Sequence, residues 1–414
     1  MLWQPSLSDD YTKATPADLA RRIDARRRDL GRSLIILGHH DQADEVIRHA
    51  DFTGDSLKLS QLAAREVAAH GARFVVFCGV HFMAETADML TPDDVSVVLP
   101  DLSAGCSMAD MADYDETVLA WDLLTGALTD ANWRGRIIPV TYINSSAAIK
   151  AFVGARGGAV CTSSNARFVL EWALAGGQTP RRKGEHIKVL FLPDQHLGRN
   201  TAAALDLDAA RDTAVYDPRR TARGEPLGGM TREQLVRSTV LLWAGHCSVH
   251  KLFRPEHCDQ VRAADKDQPR AKRTRILVHP ECCKEVVDKA DLAGSTEFII
   301  RAIEAAEPGS RWAVGTETHL VNRLARAAAA RNVSVRMLSD CQCLCTTMYR
   351  IDPPHLCWAL DQLAAGKVVN RITVHPKVRE PALIALQRML DLAGSAPAPV
   401  AAPSAHAVAS GGGD

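Results

Sequence analysis

The sequence predicts an α/β protein built from three similar units, and three observations point that way. Short apolar runs alternate with helical stretches along most of the chain, the pattern of parallel sheets covered by helices. A segment near the start recurs 240 residues later in a single register. A weaker third copy lies between the two.

Residues 1–30 are polar and read as an N-terminal helical extension, with a helix from Pro16 to Asp29. The first buried strand is the apolar run Leu34 to Leu37. After it comes His39-His40-Asp41-Gln42-Ala43-Asp44-Glu45-Val46, which matches His279-Pro280-Glu281-Cys282-Cys283-Lys284-Glu285-Val286. The match runs on without a gap from Ala50-Asp51-Phe52-Thr53-Gly54-Asp55-Ser56 to Ala290-Asp291-Leu292-Ala293-Gly294-Ser295-Thr296. The later copy also follows an apolar run, Ile276 to Val278. In the middle copy Ile137 to Val140 is the strand, and Tyr142-Ile143-Asn144 takes the place of the His-rich turns. Cys161-Thr162-Ser163-Ser164-Asn165 there replaces the glycine-containing turns. Further strands are expected at Phe74 to Phe77, Val95 to Leu99, Val189 to Leu192, Val240 to Trp243, Trp312 to Val314 and Val333 to Met337. Helical patterns at Leu57 to His70 and Phe298 to Ala306 separate some of them. A period this long signals duplicated domains rather than a solenoid.

The units are expected at residues 31–106 together with 346–393, at 107–247, and at 248–345. The second carries a polar insertion over about 201–237, to which the sequence assigns no role. Residues 394–414 are rich in Ala, Pro, Ser and Gly and are expected to be disordered.

At 414 residues the chain is long enough for two to four compact domains. Lys plus Arg (49) equals Asp plus Glu (49), which gives no reason to expect nucleic acid or an anionic membrane as partner. No apolar run is long enough to span a bilayer, and the first residues lack a signal core, so a cytoplasmic protein is expected. There, the eleven cysteines read as metal ligands, catalytic thiols or small buried hydrophobes rather than disulfides.

Three of them, Cys106, Cys247 and Cys345, each close one of the similar stretches. Cys106 follows Ser56 by 50 residues and Cys345 follows Thr296 by 49. Three thiolates from three units can hold a metal centre with one coordination position open, the mark of a catalytic metal. Taken singly, each is as well read as a buried structural cysteine. Cys341-Gln342-Cys343-Leu344-Cys345 cannot place all its sulfurs on one cluster without strain, so one ligand and two bystanders are expected. Zinc is the competing metal, but its usual C-x-x-C pairs are absent, and the vicinal Cys282-Cys283 is ill suited to joint chelation.

His250, beside Cys247, is a candidate proton donor, and His279 with Glu281 supplies an imidazole and a carboxylate at a strand end. The turns bearing Ser56, Ser163, Ser295 and Thr296 each precede a helix. Hydroxyls and helix N-terminal N–H groups together suit carboxylates or phosphate. A single such turn is better read as a helix N-cap; it is their repeated placement that points to function.

At these residues the chain resembles the quinolinate synthase family. The matching stretches include Val76-Phe77-Cys78-Gly79-Val80-His81-Phe82-Met83-Ala84-Glu85-Thr86-Ala87, Leu99 to Met111, Thr141 to Ser146, Cys161 to Ala166, Pro193-Asp194, Leu197-Gly198-Arg199, Gly245 to His250 and His279 to Glu281. They fall between about residues 33 and 390. The resemblance implies three pseudo-threefold-related αβα domains with short parallel sheets around a central [4Fe–4S] cluster held by Cys106, Cys247 and Cys345. It implies condensation of iminoaspartate with dihydroxyacetone phosphate to quinolinate, phosphate and water, in NAD biosynthesis. An L-aspartate oxidase or dehydrogenase would supply the iminoaspartate. By the same mapping His39, Ser56, Tyr142, Asn144, Ser163, Ser295 and Thr296 would bind substrate. Glu281, His250 and His279 would move protons or hold a ligand of the open iron, with Glu281 the main acid/base. The family usually has tyrosine two residues after the first histidine, where this chain has Asp41; reduced turnover with an intact cluster is expected. The alternatives are another cluster-bearing hydro-lyase, turning over without a phosphorylated triose, and a metal-binding regulatory protein without turnover.

Overall fold

The computed structural model describes residues 4–340 and 343–394; Cys341 and the tail expected to be disordered beyond Gly394 lie outside them. The architecture is α/β, with three separate sheets. The first contains β1 (Leu34–His39), β2 (Phe52–Gly54), β3 (Phe74–Cys78) and β4 (Ser96–Val98), in the order β2-β1-β3-β4 and all parallel. The second contains β5 (Gly135–Tyr142), β6 (Ala159–Cys161), β7 (His186–Leu192), β8 (Thr213–Tyr216) and β9 (Val240–Trp243), in the order β6-β5-β7-β9-β8. The third contains β10 (Arg275–Val278), β11 (Leu292–Ala293), β12 (Arg311–Gly315) and β13 (Ser334–Met337), in the order β11-β10-β12-β13. One four-strand order therefore recurs in every unit.

The strands form where the apolar runs are. All six residues of β1 are buried, as are all four of β9. Continuous burial is what a parallel strand covered on both faces requires. The repeat also carries a tie that hydrophobicity does not show. The Asp51 carboxylate accepts from the Ile36 N–H at 2.8 Å, and 240 residues on Asp291 accepts from Ile276 N–H at 2.6 Å. Each aspartate locks the entry to its second strand against the first. Removing one leaves a buried N–H unpaired, so Asp51→Ala is expected to cost about 1–3 kcal/mol of stability. A lowered urea midpoint for the first transition checks it.

Two segments differ from the sequence reading. The polar stretch 201–237 contributes a strand: β8 pairs in parallel with β9 and forms the edge of the second sheet. The segment after residue 346 divides. Arg371–Ile372 adds an antiparallel edge strand to β4, and the helix Pro376–Gly394 then crosses to pack on the helix Ala147–Ala155 and on β6 of the second unit. Gly154 permits that crossing, since a Cβ there would lie 1.8 Å from the Pro381 carbonyl oxygen. Among the described residues no helix is long and apolar enough to cross a membrane.

Candidate functional site

Parallel sheets gather ligands at the carboxyl ends of their strands. Here residues that follow strands of all three sheets line one cavity. Cys106, Cys247 and Cys345 all line it, one from each unit. So do His39, Asp41, Ser56, Tyr142, Asn144, Ser163, His250, His279, Glu281 and Thr296. Ser295 does not: its hydroxyl accepts from Phe298 N–H at 3.3 Å and caps the helix Thr296–Glu304. Asp55 plays the same part in the first unit, accepting from Lys58 N–H at 2.9 Å. The following residue, Ser56 or Thr296, faces the cavity in both units, and Asp55 lines it as well.

The units are clamped in a ring. The helix after β3 supplies Glu85, whose carboxylate accepts from Ala147 N–H of the second unit at 2.9 Å. The helix after β7 supplies Asn200, whose amide donates to the Pro280 and Cys282 carbonyls of the third unit, each at 2.8 Å. The helix after β12 supplies Arg323, which donates to the His40 and Gln42 carbonyls of the first at 2.8 and 2.6 Å. His40 and Gln42 are the repeat equivalents of Pro280 and Cys282. Each catalytic-side turn is thus positioned by the neighbouring unit.

The acid residues between those carbonyls are equivalent too. Asp41 N–H donates to His39 Nδ1 at 3.2 Å, and Glu281 N–H donates to His279 Nδ1 at 3.3 Å. Both rings therefore accept at Nδ1, and a neutral ring carries its proton on Nε2. Burial pushes both histidines down, His279 to about 3, so at neutral pH they are uncharged.

Glu281 is the most heavily engaged group. Its Oε1 accepts from the Tyr142 hydroxyl at 2.5 Å, and its Oε2 meets His250 Nδ1 at 2.8 Å. His250 Nε2 contacts the Thr316 hydroxyl at 3.2 Å, and the ring stacks on His279 with centroids 4.5 Å apart. Burial works against an ionised Glu281, but His250 and the hydrogen bonds hold it at about 2. The His279 charge adds to that effect in the acid range where Glu281 titrates. Burial, then the Glu281 charge, push the Tyr142 phenol well above its ordinary value, so it stays a donor.

The three cysteines share a local design. Burial raises each thiol, Cys106 to about 12, while backbone N–H groups oppose it. In every unit one such N–H belongs to the residue three positions on: Ala109, His250 and Met348. Amides aimed at sulfur stabilise thiolates that ligate a metal and tune the centre they hold.

The lining combines three thiols with the carboxyls of Asp41, Asp55, Glu281 and Glu317, and among its described residues there is no lysine or arginine. Asp41 Oδ1 and Asn144 Oδ1 are buried without a hydrogen-bond partner. A positively charged centre is what this donor set lacks, and such orphaned acceptors call for a ligand. The residues present fit a metal cofactor.

The chain matches the family model for quinolinate synthetase A protein over residues 21–391. It belongs to that family. It is 50% identical over 386 residues to a quinolinate synthase of Acidobacterium capsulatum, covering 93% of this chain and 96% of that one. It is 52% identical over 386 residues to one of Nocardioides sp., with 93% and 92% covered. The quinolinate synthase of Halalkalibacterium halodurans is 50% identical over 387 residues, with 94% and 97% covered. The chain is thus an enzyme of the quinolinate synthase kind, and NAD biosynthesis is its setting.

Two groups of this quinolinate synthase family member escaped the sequence reading. Glu317 caps the helix Thr318–Ala329 with bonds of 2.6 and 3.3 Å, and also lines the cavity. Asp194 caps the helix Gln195–Ala203 at 2.7 and 3.0 Å, and its other oxygen is buried without a partner. Both directly precede a helix, so their caps hid them; their signal was an acid just after the third strand of the unit's shared order. Burial, then the Asp41 charge, push Glu317 to about 8. Its folded pKa exceeds the ordinary 4.5, so the folded chain keeps a proton that the unfolded chain releases. Stability of the metal-free protein should therefore fall as pH rises from 4.5 towards about 8. Glu317→Gln should flatten that fall, measured by urea midpoints at both ends of the window.

Proposed function

We propose that this enzyme condenses iminoaspartate with dihydroxyacetone phosphate, yielding quinolinate, phosphate and two waters. The observation that carries the reading is one cysteine from each unit on a single cavity without lysine or arginine among its described lining. Cys106, Cys247 and Cys345 would hold a [4Fe–4S] cluster, which when bound supplies a Lewis-acidic iron with a position the protein leaves open.

The chain's own groups account for the rest. With no lysine or arginine among the described lining residues, carboxylates and phosphate are received by the Ser56, Ser163 and Thr296 hydroxyls, two of them opening helices whose N–H groups point at the ligand. Asn144 and Tyr142 add polar contacts from the second unit. Glu281 is ionised and takes a proton from substrate carbon; His250 receives or returns it through their 2.8 Å contact. The apolar wall of Val80, Phe82, Met83, Met108 and Met348 excludes water, which favours the loss of two waters. Iminoaspartate is unstable, so its supply from an L-aspartate oxidase or dehydrogenase in the cytoplasm belongs to the same reading.

Quinolinate formation from the two substrates, assayed with anaerobically purified protein, is the test. Iron-loaded protein that forms none sinks the proposal. Asp41 occupies, by the repeat, the position of Glu281 in the first unit. A carboxylate there lacks the reach of the tyrosine that the family resemblance implies. Asp41→Tyr is expected to raise kcat at constant iron content; an unchanged rate would count against that role.

A further inference from the structure

We propose that Cys247, His250 and Glu281 form a site for a single divalent transition-metal ion, zinc foremost, in the chain without a cluster. One donor atom from each lies within 4.8 Å of the other two. Sulfur, imidazole nitrogen and carboxylate oxygen are zinc's usual ligands, and three protein ligands leave a fourth position open.

Each ligand is already oriented by a second partner, as bound metals require. His250 places Nε2 on the Thr316 hydroxyl, which leaves Nδ1 for the metal. Tyr142 occupies Glu281 Oε1 and leaves Oε2. The Cys247 sulfur receives the His250 backbone N–H. His250 Nδ1 and Glu281 Oε2 are 2.8 Å apart. Ligand atoms around tetrahedral zinc sit about 3.4 Å apart. The metal would thus replace the proton those two groups share, with a small opening of the pair.

Charge supports the same occupant. No lysine or arginine among the described lining residues offsets the Glu281 carboxylate. Cys106 and Cys345 are outside the triad. Because Cys247 is common to both, a zinc ion here and a three-cysteine centre exclude each other, and zinc becomes a competitor of cluster assembly.

Cobalt(II) titration of chelator-treated, metal-free protein tests this without any cluster or substrate, so its failure is separable from failure of the quinolinate assay. One cobalt per chain is expected, with tetrahedral absorption bands and a thiolate charge-transfer band, displaced by zinc. Cys106→Ser and Cys345→Ser should retain both signals. Cys247→Ser should lose the charge-transfer band, and Tyr142→Phe should weaken binding by about 10–100-fold. Far-UV circular dichroism checks each fold; if Cys247→Ser is unfolded, His250→Ala reads the same site through loss of tetrahedral binding. Absence of binding, a charge-transfer band that survives Cys247→Ser, tetrahedral binding that survives His250→Ala, or loss of the signals in Cys345→Ser would overturn the proposal.

Discussion

Glu281→Gln is expected to lower kcat by about 10²–10⁴-fold while iron content and KM change little. The substitution preserves size and keeps an oxygen for the Tyr142 hydroxyl, so the turn held by Asn200 should persist. What it removes is the negative charge that His250 and Tyr142 together stabilise. A group held at about 2 is ionised throughout the working range, so wild-type rate should show no acid limb from Glu281 near 4.5. His250→Gln should reproduce part of the loss, because it removes the imidazole that meets Glu281 Oε2 at 2.8 Å. A Glu281→Gln rate within tenfold of wild type would remove Glu281 from the chemistry. A parallel loss of iron would make it a structural support of the centre instead.

Cys247→Ala is the second large effect: anaerobically prepared protein should lose its iron, about four per chain in the wild type, and all quinolinate formation. The same is expected of Cys106→Ala and Cys345→Ala, since each unit offers one sulfur with an amide three residues on. Cys282→Ala and Cys343→Ala should keep the iron. Both are buried within the third unit, where Cys282 Sγ contacts the Gly315 carbonyl at 3.9 Å and Cys343 Sγ contacts the Ser339 hydroxyl at 3.3 Å. Neither lines the cavity. Iron retained in Cys247→Ala would mean another ligand set.

Much of the fold was legible because a repeat in sequence is a repeat in structure. The 240-residue register that pairs His39 with His279 also pairs the two Nδ1-accepting rings, the two strand-locking aspartates and the two clamped turns. Fully buried parallel strands write themselves as apolar runs, so β1, β9 and β10 were readable almost to the residue. The polar stretch that becomes β8 was not. Its alternating composition is compatible with an exposed loop, and only an unpaired edge of β9 makes it a strand. Ser295 stands outside the cavity lining for a different reason. Adjacent hydroxyls in one turn look alike in sequence, and which one caps and which one faces the cavity depends on where the helix begins.

By itself, the sequence determined the three-unit α/β plan, the family, and the chemical types available: three widely spaced thiols, a histidine-and-acid turn, and hydroxyls before helices. Those properties are local or repeated, so they survive in one dimension. Only the tertiary structure decided which groups meet. Tyr142 and Glu281 are 139 residues apart and touch at 2.5 Å; Arg323 reaches back 283 residues to the His40 carbonyl. The physical reason is the ring of clamps. A helix from each unit satisfies carbonyl or N–H groups of the next, and that closure brings three separate sets of strand ends onto one cavity.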